Sequence, residues 1–143
     1  MSPYMEELVD KMLSALKEKH PTITEEMLLN YILKFTQYIE YQSDEEYMGY
    51  TEYWKLPIET LYDQGGDCED TSILFCAISH QCREKLNMNY KTGILLLPGH
   101  MAGWIKLTAD SKWKYCETTT KDYDVGEVPT SMVGKTYNAI EIP

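Results

Sequence analysis

The chain has 143 residues, 43% of them hydrophobic, and a formal charge of −10, which suits one domain able to bury a core without disulfide or metal staples. The acidity is concentrated: residues 1–70 carry 16 Asp and Glu against 5 Lys and Arg, and residues 71–143 carry 7 against 8. Such a balance repels nucleic acid and anionic lipid, and apolar runs such as 73–78 and 93–98 are far shorter than the roughly 18 residues of a membrane-spanning helix.

Cys68, Cys76, Cys82 and Cys116 show neither Cys-x-x-Cys spacing nor the density of a disulfide scaffold, so free thiols are expected. The start, "MSPYMEELVDKML", lacks the basic flank, apolar core and cleavage site of a signal peptide. The sequence as given is therefore expected to be cytoplasmic, or extracytoplasmic if it was cut from a longer anchored or secreted protein.

Met5, Leu8, Val9, Met12, Leu13 and Leu16 recur at three- and four-residue steps and predict an amphipathic first helix, which His20-Pro21 ends. Thr22 with Glu25 reads as a capping box for a second helix whose buried stripe is Leu28, Ile32, Phe35 and Ile39. Residues 1–40 thus predict a helical covering layer. From Tyr41 to Leu56, "YQSDEEYMGYTEYWKL", the text is acidic and aromatic without a sustained period, and reads as a long loop. Pro57 opens a short helix, "PIETLYDQ", that two glycines stop.

Asp67 is a good N-cap, and Glu69 and Asp70 fall in the first helical turn, where the macrodipole favours negative charge. Cys68 therefore opens a helix, predicted to run to about Asn87. Its middle, "SILFCAIS", is apolar on nearly every side, as expected of a central helix buried between layers. "YKTGILLLPGHMAGWIKL", interrupted near Pro98-Gly99, and "KWKYCETT" read as strands, with a shorter one at "TYNAIEI". Helices first and strands later predict a single α+β domain over 1–143, with a central helix on an antiparallel sheet and a functional core over 57–120.

A cysteine at a helix N-terminus receives the positive end of the dipole, the right address for a nucleophile. Three neighbouring carboxylates oppose a thiolate there, so a positive partner is required, and histidine is the natural one. His20 precedes a proline at a helix end, and His80 lies well over two turns along the cysteine's own helix; only His100 remains. Strand alternation puts His100, Ala102 and Trp104 on one face, small residues on a strand let a helix approach closely, and Tyr115, Glu117 and Thr119 share a face of the next strand. Glu117 can then accept the other imidazole N–H, fixing its tautomer. Cys76 and His80, four apart on one helix face, lack a second ligand pair and are not read as a metal site.

The stretches "FTQYIEY", "YWKLPIETL", "GGDCEDTSIL", "LLLPGHMAGWI" and "YCETT" together resemble the transglutaminase-like superfamily over about residues 35–120, most closely archaeal transglutaminase-like domains. The resemblance implies a papain-like triad on a helix packed against a sheet, with Cys68 at the nucleophile position, His100 at the base and Glu117 where aspartate is usual. "GDCED" is also similar to the motif of bacterial transglutaminase-like cysteine proteases, in which carboxylates around the nucleophile bind calcium; the matching positions are Asp67, Glu69 and Asp70. Two readings of this collar stand side by side: a Ca²⁺ site, or carboxylates that simply favour a helix start. For the oxyanion, the Cys68 backbone N–H is one donor by position, with Tyr53, Trp54 or Gln64 as alternatives for a second and Tyr53 and Trp54 also readable as groove lining.

The expectation is a thiol-dependent amide or peptide hydrolase acting on a peptide or protein through a thioester, with no cofactor required. Transglutaminase-type acyl transfer uses the same intermediate, and a non-catalytic module binding a protein or cation is the contrasting class.

Overall fold

The computed structural model describes residues 3–41 and 56–143. Helix α1 (Pro3–Lys19) buries Met5, Val9, Met12, Leu13 and Leu16, the stripe expected from its spacing. Helix α2 (Glu25–Gln37) begins at Thr24, whose hydroxyl accepts from the Met27 N–H at 3.2 Å, so the cap is Thr24 and not Thr22. The physical reason lies in Glu25: its carboxylate does not reach back to a cap but accepts from the Thr108 backbone N–H (2.8 Å) and hydroxyl (2.5 Å). The buried face of α2 is also broader than the predicted stripe, taking in Leu29, Leu33, Thr36 and Gln37.

A two-residue strand β1 (Glu40–Tyr41) pairs in parallel with β2 (Gly65–Gly66), in register Glu40 with Gly65. Most of the predicted loop between Tyr41 and Leu56 lies outside the described residues. Helix α3 (Pro57–Asp63) fills the position expected for "PIETLYDQ"; Glu59 accepts from the Leu56 N–H at 3.1 Å, and Gln64 ends the helix in the left-handed region. Helix α4 (Cys68–Leu86) runs between the predicted limits, from Asp67 to a left-handed Asn87. Its Leu74, Phe75, Ile78 and Cys82 are fully buried in one core with α1, α2 and the sheet residue Ile105.

The sheet has the order β5-β4-β3-β6 and is antiparallel throughout. Strands β3 (Lys91–Leu97) and β4 (His100–Lys106) form a hairpin closed by Pro98-Gly99, with Leu97 opposite His100. Strand β5 (Lys114–Cys116) is shorter than the sequence suggests, and β6 (Asn138–Ile142) completes the outer edge. Beyond Cys116 the Glu117 and Thr119 groups turn to other partners, which ends the ladder.

The two faces of the sheet are used differently. Gly103 of β4 faces α4 so closely that a Cβ there would stand 2.6 and 2.8 Å from ring carbons of Phe75. The small residue that admits the helix is thus Gly103, on the face opposite His100, Ala102 and Trp104. On that other face Leu95, Ala102 and Tyr115 form a second cluster with Leu97, Trp104 and Met132. Among the described residues no helix is long and apolar enough to cross a membrane.

Candidate active site

The first turn of α4 is held from both sides of its cap. Asp67 Oδ1 accepts from the N–H groups of Glu69 and Asp70, both at 3.1 Å, and Asp70 Oδ2 accepts in return from the Asp67 N–H at 3.1 Å. This reciprocal box satisfies donors that a helix N-terminus otherwise leaves unpaired. Gly66 is required beside it: a Cβ there would lie 2.8 Å from Asp70 Cβ. The pair of glycines in "GGDCED" is therefore explained at least in part by space, and the box fixes where Cys68, half-buried, leaves the helix.

A buried hydroxyl cluster ties this turn to the chain after β5. Thr118 Oγ1 lies 2.8 Å from Thr71 Oγ1 and 3.0 Å from Ser72 Oγ, and Ser72 donates to the Met101 carbonyl at 3.2 Å. Gln37 of α2 adds a clamp, its amide donating to the carbonyls of Glu117 (2.8 Å) and Tyr123 (2.7 Å). Glu117 is only 2% exposed. Backbone on either side of it is thus pinned both to the cysteine helix and to α2.

His100 is the first residue of β4, and its Nε2 lies 2.9 Å from Glu117 Oε1. Cys68 acts on the same ring, adding to the shift of its titration. With Nε2 engaged by the carboxylate, Nδ1 is the nitrogen left to face sulfur. Burial alone would push the imidazole pKa down, but hydrogen bonds to Cys68 and Glu117 and their charges override it, raising it from 6.5 to about 9. For Glu117, burial favours the neutral acid; His100 and Thr119 outweigh it and hold the carboxyl below its ordinary value. The pair is arranged as carboxylate and imidazolium.

The carboxylate of Glu117 receives four donors. Besides His100, the Tyr115 hydroxyl donates to Oε1 at 2.9 Å, and the Thr119 N–H (3.1 Å) and hydroxyl (2.6 Å) donate to Oε2. Tyr115 and Thr119 stood on the predicted face with Glu117, so their proximity was legible, though not their role. Gln37, Thr71 and Thr118 gave no signal, because their partners are remote in sequence or are backbone groups.

Structure brings together Cys68, His100 and Glu117, in the order read from the sequence. Tyr53 and Trp54 lie outside the described residues. Gln64 is exposed and faces a groove lined also by Tyr4, Leu8, Phe35 and Tyr38. The remaining cysteines are buried free thiols: burial raises Cys76, lifts Cys82 to about 12 and pushes Cys116 higher still. Asp67 and Asp70 each commit a carboxylate oxygen to the helix start, and no three acidic, His or Cys side chains among the described residues converge as a metal site.

A central helix opening on cysteine, covered by N-terminal helices and packed on an antiparallel sheet that carries a histidine, defines an α+β fold. Solved structures agree on that fold. The chain is similar to LapG of Legionella pneumophila at 16% identity, with a TM-score of 0.62 over 96% of this chain and 75% of that one. An EGTA-treated LapG structure aligns at the same identity and TM-score over 96% and 73%, and a calcium-bound one with a TM-score of 0.54 over 90% and 81%. No family model and no curated protein sequence matches the chain.

Proposed function

We propose that the protein is a thiol-dependent amide or peptide hydrolase of the transglutaminase-like kind, with Cys68 as nucleophile, His100 as proton carrier and Glu117 as the acid that orients it. One observation carries this reading: a single imidazole bonded to a buried carboxylate at 2.9 Å and influenced by the cysteine that opens the buried helix. The fold shared with LapG and the sequence motifs support it.

The chemistry follows from the groups. His100 takes the proton of Cys68, and the thiolate attacks the carbonyl carbon, forming the C–S bond as the oxygen gains charge. Since Asp67 takes the N–H groups of Glu69 and Asp70, the backbone N–H of Cys68 is the donor of this helix start offered to that charge. His100 then donates its proton to the leaving amine as the C–N bond breaks, leaving a thioester. In the second half His100 takes a proton from water, the hydroxide displaces sulfur, and the acid product and the starting pair are regenerated. Glu117 stays ionised throughout and keeps Nε2 protonated, which leaves Nδ1 free to exchange protons with sulfur and substrate. The same thioester yields to an amine in acyl transfer, so the distinguishing measurement is the product formed with and without an added primary amine.

Calcium at Asp67, Glu69 and Asp70 is a second proposal, favoured by the calcium-bound LapG structure. Asp67 and Asp70 already serve the helix start with one oxygen each, so a cation would draw on their remaining oxygens, on Glu69 and on further ligands. Bound calcium raises the melting temperature over that in EGTA, and Asp67→Asn removes the increment; identical melting in both buffers leaves the collar as helix caps alone.

The hydrolase is tested by incubating the chain with a peptide library and unfolded protein, with Cys68→Ala as control. Cleavage or deamidation together with a mass increment on Cys68 is expected. An alkylatable Cys68 that never acquires an acyl group would point to the binding module instead.

A further inference from the structure

We propose that Tyr115 is a positioning residue of this site: its hydroxyl and the paired Thr119 donors lock the Glu117 carboxylate so that only one of its oxygens, already shared, is offered to His100. The proposal rests on the reading of Cys68, His100 and Glu117 as a reactive triad, and deepens it.

The geometry is specific. Tyr115 and His100 both reach Oε1, each at 2.9 Å, while both Thr119 donors take Oε2. A carboxylate bound on both oxygens cannot rotate about its last bond without breaking hydrogen bonds. A glutamate has one more rotatable bond than an aspartate, and this lock removes the freedom it adds. Tyr115 is itself held, 6% exposed, in the cluster with Leu95 and Ala102 and opposite Trp104 in the sheet. Its ring position is thus set by packing and its hydroxyl is spent on one acceptor. The titratable groups that act on it are Glu117, Cys68 and Cys116, and burial beside that carboxylate keeps the phenol neutral, a permanent donor.

Sharing an oxygen has a consequence for the histidine. A second donor on Oε1 draws electron density from it, so the carboxylate holds the imidazolium less tightly than it would alone. Tyr115 moderates His100, keeping it able to release its proton to a leaving amine.

The test is an NMR titration of the His100 ring in the full chain. In Tyr115→Phe, with the ring kept and the hydroxyl gone, the imidazole titrates higher by roughly one pH unit, and kcat falls while KM is held. Placing 3-fluorotyrosine at 115 strengthens the donor without removing it and moves the titration down, which keeps the proposal testable if the Phe variant does not fold. A His100 titration unmoved by either change overturns it. Because the titration needs no turnover, a shifted His100 in a chain that cleaves nothing discards the hydrolase and keeps the lock. Cleavage with an unmoved His100 discards the lock alone.

Discussion

Glu117→Gln is nearly isosteric, yet the donors around Glu117 forbid it from being neutral. All four groups that reach the carboxylate donate hydrogen, whereas a glutamine offers one oxygen and one NH₂. The backbone N–H of Thr119 cannot become an acceptor, so the amide oxygen must stay on its side and the NH₂ must face His100 and Tyr115. The tyrosine can turn its hydroxyl. The histidine can accept only by giving up its Nε2 proton, and a neutral ring then carries its proton on Nδ1, facing the sulfur. Such a ring cannot take the Cys68 proton. The expected loss in activity is roughly 10³- to 10⁴-fold, the scale of a wrong-tautomer defect. Losing the charge-assisted bond costs about 1.5–3 kcal/mol of stability. Cys68 alkylation followed by mass spectrometry, beside thermal unfolding, reads both. Unchanged Cys68 alkylation in a folded Glu117→Gln chain would refute the argument, because the tautomer would then not depend on Glu117.

Further outcomes follow from the same geometry. His100 titrates higher folded than unfolded, so the stability it confers is whole below pH 6.5 and is lost as pH rises to about 9, on the order of 3 kcal/mol; melting temperature falls across that window, and less steeply in Glu117→Gln. Gly103→Ala drives a methyl into the Phe75 ring and is expected to cost about 1–3 kcal/mol in denaturant unfolding, while a silent change would mean α4 sits farther from β4 than described. Asp67→Ala removes an acceptor from two N–H groups and costs about 1–2 kcal/mol, slowing Cys68 chemistry as the first turn frays. Cys82 and Cys116, buried and raised, resist alkylation in the native chain at pH values where Cys68 reacts.

The sequence made the central helix legible because several signals agreed: a cap at Asp67, an apolar run through Phe75 and a polar end at Asn87. His100, reached by elimination, does open β4, whereas Glu117, reached by alternation, lies one residue past the end of β5. What escaped was set by tertiary contact. The choice of Thr24 over Thr22 depends on Glu25 meeting Thr108, 83 residues away. The helix-facing side of β4 turns on Gly103, whose role appears only once Phe75 is placed against it. Gln37 reaches Glu117 across 80 residues with no motif to announce it. Tyr115 was on the correct face, but a tyrosine on a strand reads first as packing, and only the distance to Oε1 shows what the hydroxyl does.

The central claim is that His100 holds Cys68 ready as a nucleophile, and alkylation of each cysteine across pH, with and without His100→Ala, tests it most directly. The account predicts that Cys68 is alkylated faster than Cys76, Cys82 and Cys116 in the native chain, and that His100→Ala abolishes this advantage while the fold persists. Cys68 reacting equally fast in both chains, or no faster than Cys76, would contradict it.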